Sequence, residues 1–298
     1  MTDPKIGVVG IPGKWSTEVL ADAVEARTGY RLVIDMGSVY LDLARGRLMA
    51  GDTDLCRFDG LIVKKISAEY SPATLDRLEM LRVAEAAGVR VFSRAVNILR
   101  LIDRLSCTVT FRNAGIPMPE TRVTEDEGAA VAAVAEFGSA VFKPLYSTKA
   151  RGMCVIDYAD GEAAVRERIT AFRAENPVMY IQRKVALPGR DMGMVFLAGE
   201  YLGTYARVPQ SDAWNTTIES GGRYAAHEPP AEQIELARKA QALFEMDFTT
   251  VDVAETDDGL IVFEVSAFGG FRGAKEGMGV DVAALYADYA IQQLRGKK

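Results

Sequence analysis

The segment NAGIPMPET at residues 113–121 divides the chain into two kinds of text, and no single repeating architecture fits both sides of it. Upstream, strand and helix signals alternate. KIGVVGI is a compact apolar run bounded by Gly and Pro, the pattern of a buried strand. A helix is predicted over Ser16–Arg27, with Ser16 as its cap and Gly29 as its stop. RLVIDMG and DGLIVKKI supply a second and a third strand. Ser71-Pro72 opens a further helix, with Leu75, Leu78 and Leu81 at helical spacing, and VRVFS is a fourth strand. Strand–helix alternation of this kind predicts a parallel α/β layer over residues 1–95.

Downstream the text is α+β. An alanine-rich helix (126–137) leads into the strand SAVFKPLY, a polar loop, the strand MCVIDY, a helix at Glu162–Glu175 and the strand VMYIQRKV. From about residue 190 strands dominate: MGMVFLAG, YLGTYARV, FTTVDVAE and GLIVFEVSA. One helix (231–244) interrupts them after Pro229-Pro230, and a last one (281–294) follows a glycine-rich stretch. The working division is 1–95, 96–180 and 181–298, an α/β unit followed by two α+β units.

Composition narrows the chemistry. With 35 Lys and Arg against 41 Asp and Glu in 298 residues, the net charge is -6, which argues against nucleic acid and anionic membranes as partners. No apolar run reaches the ~18 residues of a spanning helix. Asp3 and the short IGVVGIP run argue against a secretory leader, and Cys56, Cys107 and Cys154 lie far apart, so a cytoplasmic protein is expected. The single histidine, His227, nearly excludes Ser-His-Asp, Cys-His and multi-histidine metal chemistry. What remains for catalysis is Lys, Arg, Asp, Glu and backbone amides.

Four clusters carry chemistry. Gly7, Gly10 and Gly13 with Asp35 imitate a dinucleotide fingerprint, but the spacing is GxxGxxG and Pro12 sits inside the turn. In FKPLYSTKARGM, Lys143 ends an apolar strand, and Lys149 and Arg151 follow with Ser147, Thr148 and Gly152. Cations, hydroxyls and loop amides suit a polyphosphate, although such a loop alone is more often solvated surface. Asp252 and Glu264 lie in adjacent strands around the turn Asp257-Asp258-Gly259. A three-residue loop with a bulge would pair Thr256 with Leu260 and Asp252 with Glu264, whereas a two-residue loop would send the acids to opposite faces. Two facing carboxylates repel unless a cation stands between them. With Ser266 on the same face they read as a hard-metal site for Mg²⁺ or Mn²⁺, or else as a solvated acidic face. AFGGFRGAKEGMG carries Arg272 and Lys275 among five glycines, a backbone able to approach a ligand closely or merely a long turn.

Together these pieces resemble the ATP-grasp superfamily, and most its RimK-type amino-acid ligases. The marks are DRL at Asp103–Leu105 followed by NAGIPMPET, then AVFKP, YIQRK, DAWNTTIESGG, and EVSAFGGFRG leading to GVDVA. The similarity runs from about Ser93 to the end, and the first 95 residues resemble the domain that precedes the grasp. The resemblance implies ATP held between two α+β subdomains. It makes Lys143 the lysine on the phosphates and puts Arg104 where the family has an earlier lysine. Gln182, Arg183 and Lys184 fall on the hinge strand that meets adenine through its backbone, and Asp191 on the ribose acid. Arg207 and Asn215 fall where the family meets phosphates or the acyl group, and Asp252 and Glu264 on its magnesium acids. Three positions depart from the family: Ser266 replaces the usual Asn, Trp214 and Asn215 stand where Arg is common, and Arg272 replaces an acid.

The implied activity is an ATP-dependent carboxylate–amine ligase. The γ-phosphate would pass to an acid, and an amine from an amino acid or a peptide would displace phosphate from the acylphosphate. Arg272 and Lys275 would then select an acid with an extra anionic group. An ATP-grasp phosphotransferase, a nucleotide-binding regulator and an NAD oxidoreductase are the other readings. A homo-oligomer is compatible with the text.

Overall fold

The structure, a computed structural model, describes residues 3–148, 150–187, 189–209 and 222–296. The chain begins with β1 (Ile6–Val9), α1 (Trp15–Thr28) and β2 (Val33–Ile34). It continues through β3 (Val39–Asp42), β4 (Arg47–Ala50) and β5 (Thr53–Asp54) to β6 (Gly60–Val63), α2 (Pro72–Ala86) and β7 (Arg90–Phe92). The expected parallel layer is present, in the spatial order β2-β1-β6-β7. Every residue of β1 and β6 is buried, which is why both read as unbroken apolar runs. Gly29 ends α1 in the left-handed region, as expected, but Ser16 does not cap it. Lys14 holds the N-cap position without a side-chain bond, and Glu18 Oε1 takes the Gly13 amide at 2.6 Å. A carboxylate thus stands at the helix end that a dinucleotide pyrophosphate would need, which argues against the NAD reading. Strands β3–β5 form a separate antiparallel sheet that lies outside the elements read from the sequence. Asp35, the ribose acid of the dinucleotide pattern, accepts from the Gly37 amide at 2.9 Å and caps a short turn.

Two helices, α3 (Ala95–Ile102) and α4 (Arg104–Asn113), lead to β8 (Thr121–Thr124), α5 (Glu127–Phe137), β9 (Ser139–Lys143), β10 (Cys154–Asp157), α6 (Glu162–Glu175) and β11 (Met179–Arg183). The strands form an antiparallel sheet in the order β10-β9-β11-β8. Val134, Phe137, Ile169 and Phe172 of its two helices pack on Phe142 and Ile181. Helices α3 and α4 and strand β8 were not among the predicted elements. Asp103 caps α4 by accepting from the Leu105 amide at 3.0 Å, which fixes Arg104 at the start of the helix.

The third sheet contains β12 (Asp191–Leu197), β13 (Glu200–Val208) and β14 (Arg223–Ala226). After α7 (Ala231–Ala242) it adds β15 (Phe248–Thr256) and β16 (Gly259–Val265), before the short α8 (Phe271–Gly273) and the long α9 (Val282–Arg295). Its order is β14-β13-β12-β15-β16. On one face Met192, Met194, Val251 and Val253 join Ala237 and Ala240 of α7 and Phe111 of α4 in a common core. Helix α9 belongs spatially to the first layer. Its Ala287 and Leu294 pack with Leu20 and Val24 of α1, and Asp288 pairs with Arg27. Among the described residues no helix is long and apolar enough to cross a membrane.

Candidate active site

Two hairpins of the third sheet build the acidic side of the site, and each needs a bulge to do so. β12 and β13 turn tightly at Leu197↔Glu200, and β15 and β16 at Thr256↔Gly259. The latter is a two-residue loop, where three residues were expected. Carried straight along, that register would set Asp252 against Phe263. A bulge next to Asp252 absorbs Phe263 and restores the Asp252↔Glu264 pair. In β12–β13 a bulge beside Val195 likewise brings Asp191 opposite Arg207. The facing carboxylates of the sequence reading are therefore present, reached by a different turn.

Arg207 lies between two acids. Its guanidinium pairs with Asp191 and reaches Asp252 Oδ2 at 2.9 Å. Gly193 stands between Tyr205 and Asp252 in the sheet, and the Tyr205 ring lies over it. A Cβ on Gly193 would come within 2.3 Å of the Tyr205 ring, so the close approach requires glycine here. Burial opposes the charge of Arg207, but Asp191 and Asp252 outweigh it and hold the guanidinium protonated well above its ordinary range. Burial, with repulsion from Asp191 and Glu264, pushes the Asp252 carboxyl up to about 7 against the pull of Arg207. Asp191, expected to meet a ribose, is instead laid against Arg207.

The cationic side comes from the second sheet and α4. Lys143, at the end of β9, donates to Gln182 Oε1, and its Nζ lies 5.5 Å from the Phe263 ring centroid. No carboxylate pairs with it among the described residues. Burial first, then the nearby Arg104 charge, lowers its pKa to about 7. Gln182 in turn donates to Thr121 Oγ1 at 3.1 Å and to the Tyr180 hydroxyl at 3.2 Å. Arg104 donates to the Pro144 carbonyl at 3.2 Å and sits 3.7 Å from Glu264 Oε2, linking both sides.

The remaining predicted positions are less central. The Arg183 and Lys184 amides are engaged inside the sheet, with the carbonyls of Glu120 (2.8 Å) and Ser139 (2.9 Å). Arg183 extends to Glu120 and over Phe137. Arg151 pairs with Glu69 Oε1 at 2.8 Å. Lys149 and Asn215 lie outside the described residues. Arg272 and Lys275 both stand over the Trp15 ring, at 5.4 and 5.3 Å, and Arg272 pairs loosely with Glu276. The glycines beside them are filled by protein: a Cβ at Gly273 or Gly277 would meet Tyr205 at 2.4 or 2.5 Å, and one at Gly269 would meet Phe248 at 2.3 Å. They admit buried aromatic rings where the sequence suggested approach to a ligand.

One residue the sequence reading missed is Tyr70, ahead of α2. Its buried phenol feels Glu264, Arg104 and Arg151 together, and its ring meets Phe268 edge-on. The only local signal was an aromatic residue next to the Ser71-Pro72 helix start.

A divalent cation fits the acidic side. Asp252 Oδ1 is buried with no hydrogen-bond partner. An unpaired carboxylate oxygen inside a protein is costly, and facing Glu264 it has the chemistry of a hard-cation ligand. Among the described residues the acids number too few for an all-carboxylate cage. Ser266, whose hydroxyl donates to Glu264 Oε1 at 3.4 Å, is the neighbouring oxygen.

Facing acids, a buried lysine across from them and an arginine between define a site for charge neutralisation during group transfer. The family comparison agrees: residues 102–290 match the RimK-like ATP-grasp domain, and the chain belongs to that family. Its members are ATP-dependent carboxylate–amine ligases, and this chain is an enzyme of that class. The tetrahydromethanopterin:alpha-L-glutamate ligase of Methanosarcina acetivorans is 26% identical, covering 84% of this chain and 82% of that protein. The glutamate–LysW ligase ArgX of Sulfolobus acidocaldarius is 25% identical over 79% of this chain and 82% of its own length. In fold, the chain resembles the ATP-grasp ligase PsnB complexed with a phosphomimetic variant of its minimal precursor, Mg and ADP. That likeness has a TM-score of 0.76 at 21% identity, covering 99% of this chain and 100% of that one.

Proposed function

We propose that this ligase joins the carboxylate of an acid bearing a further anionic group to the amine of an amino acid, with Mg²⁺ held by Asp252 and Glu264 and Ser266 beside them. The observation that carries the reading is the unpartnered Asp252 Oδ1 facing Glu264 across the bulged hairpin. Asp252 and Glu264, with Ser266 beside them, would hold the metal, and it would supply charge neutralisation for the transferred phosphate. Lys143 and Arg104 hold the β- and γ-phosphates. A substrate carboxylate oxygen attacks the γ-phosphorus, ADP leaves, and an acylphosphate forms. Arg207, once released from Asp252, keeps Asp191 as a counter-ion and stabilises the oxyanion as the amine nitrogen attacks the carbonyl carbon. Phosphate departs with the C–O bond, and the amine loses its proton to solvent.

Adenine meets the carbonyls near Gln182, Arg183 and Lys184 or the chain just beyond them, since two of those amides serve the sheet. Lys149 and Arg151 cover the phosphates. Asn215 belongs to the acyl end, as do Arg272 and Lys275. The relatives' names point to glutamate as the amine, and a peptide or protein acid as the acceptor fits the same chemistry. The division at residues 95 and 180 is part of this proposal. The test is phosphate release over a panel of mono-acids, di-acids and peptides, each with and without glutamate. Release that requires both acid and amine supports the reading. Release with an acid alone would mean hydrolysis, and ADP formed with an acid alone and without free phosphate would mean simple phosphotransfer.

A further inference from the structure

Lys64 follows β6, and its amide donates to the Val9 carbonyl at 2.8 Å, so its backbone is fixed by the first layer. Its side chain is 5% exposed. The ammonium donates to the carbonyls of Phe268 and of Gly269, the latter at 2.8 Å, and stands 4.2 Å from the Phe271 ring centroid. Two carbonyls and an aromatic face are weak compensation for a buried charge. Burial, followed by the charge of Lys65, accordingly lowers its pKa to about 7. A methionine or leucine would fill such a place with less penalty, so the ammonium's distinctive contribution is the hold on two particular carbonyls.

Those carbonyls sit just past Ser266. The Ser266 amide donates to Thr250 at 2.8 Å and its carbonyl accepts from Thr249 Oγ1 at 2.6 Å, so the chain leaves β16 in a fixed direction. Below the loop, Gly269 lies on the Phe248 ring with no room for a Cβ. From the first layer, Lys64 grips the carbonyls, while Lys65 stands 5.1 Å from the Phe268 ring centroid. The segment from Ser266 to Phe271 is therefore clamped between Phe248 and the first layer.

We propose that Lys64 is a positioning residue for the metal end of the site: by holding the Phe268 and Gly269 carbonyls it sets the direction of the chain leaving Ser266, and with it the place of the Glu264 and Ser266 oxygens. The proposal rests on the metal reading of Asp252 and Glu264. It gives the first layer a part in the chemistry although it contributes no ligand.

The test uses the full chain with Mn²⁺ as the probe. Two quantities are measured: Mn²⁺ binding to the ADP complex, followed by the paramagnetic signal of free Mn²⁺, and ADP binding in EDTA, followed by calorimetry. Lys64→Met should weaken Mn²⁺ binding about 10–100-fold, the size expected when an outer-shell support is lost, and leave metal-free ADP binding unchanged. Asp252→Asn is measured beside it. Unchanged Mn²⁺ binding in Lys64→Met, with Asp252→Asn impaired, would overturn this proposal alone. Unchanged Mn²⁺ binding in Asp252→Asn would overturn the metal reading and this proposal with it. Equal loss of Mn²⁺ and metal-free ADP binding in Lys64→Met would mean general loosening and would also overturn it. If Lys64→Met does not fold, Lys64→Gln, which keeps an amide donor, decides by the same two measurements.

Discussion

The two sides of the site treat buried charge in opposite ways. On the acidic side Asp191, Arg207 and Asp252 form a chain of alternating sign, and Arg104 reaches Glu264. On the other side Lys143 faces a neutral amide and an aromatic ring. A paired network is largely neutral before a ligand arrives, and a cation entering at the unpartnered Asp252 Oδ1 competes with Arg207 for the charge of that carboxylate. An ammonium with only neutral partners keeps its affinity for an anion in reserve, at a cost to the fold. The first side is arranged for exchange of cations and the second for capture of phosphate.

The largest expected effect is on the acidic side. Asp252→Asn should lower turnover about 10²–10³-fold at saturating ATP, the scale for removing one electrostatic group from a transition state, while metal-free ADP binds as before. Near-normal turnover in the variant would show that Asp252 serves only as a counter-ion for Arg207.

Next comes Lys143→Met. Loss of a charge-assisted contact should weaken metal-free ADP about 10–100-fold, whereas the melting temperature should not fall, because a costly buried ammonium has been removed. A large drop in melting temperature with unchanged ADP binding would reverse the contrast between the two sides.

How far could this be seen in the sequence? The Asp252–Glu264 pair was expected through a three-residue turn that the structure does not have. The parallel layer, the strand carrying Lys143 and the Glu162–Glu175 helix were legible, because each rests on a local apolar period. The bulges at Phe263 and beside Val195 were not, since a bulge is fixed by contacts across strands and leaves no local mark. For the same reason the glycines of the last loop misled. Tyr205, whose ring fills the space at Gly273 and whose Cβ crowds Gly277, is distant in sequence. Helices α3 and α4 are short and run into one another at Asp103, so neither offers the long apolar period by which a helix is read from sequence. The Lys143–Gln182 bond joins neighbouring strands whose register the sequence does not give.

That tyrosine offers a third test. Gly273→Ala should destabilise the protein by about 1–3 kcal/mol through overpacking, read from denaturant unfolding. Tyr205→Leu in the same chain should recover part of the loss. If Gly273→Ala left stability unchanged and weakened substrate instead, the loop would be serving a ligand after all.

A smaller effect separates the two sides by pH. The lowered pKa of Lys143 means that between about 7 and its ordinary 10.5 the unfolded chain binds more protons there than the folded one. This group's penalty on stability is therefore full below 7 and fades as pH rises. An anion favours the protonated form, so metal-free ADP affinity should fall as pH rises above 7, by at most about tenfold per unit. The dependence should vanish in Lys143→Met. A rise in affinity over the same range would assign the phosphate contact to another group.

The smallest expected change is at Arg272, outside both sides. Its guanidinium is exposed, lies over Trp15 and pairs loosely with Glu276 at 3.8 Å, so Arg272→Ala should cost under about 1 kcal/mol of stability. Metal-free ADP should bind as in the wild type, because Arg272 is engaged with Trp15 and Glu276 and Lys143 with Gln182. Selectivity is where the residue should show itself. Arg272 and Tyr224 influence one another electrostatically, and Tyr224 lies directly across from Arg207 in β14, so the exposed guanidinium is within reach of a substrate extending from Arg207. An acid with a second anionic group should lose a few-fold in kcat/KM when Arg272 becomes Ala, and a neutral mono-acid should lose nothing. Loss of the same factor for both would show that Arg272 acts only through Trp15, as packing between α1 and the last loop. No loss for either would leave Arg272 as a surface residue and move the choice of acid to other groups in the site.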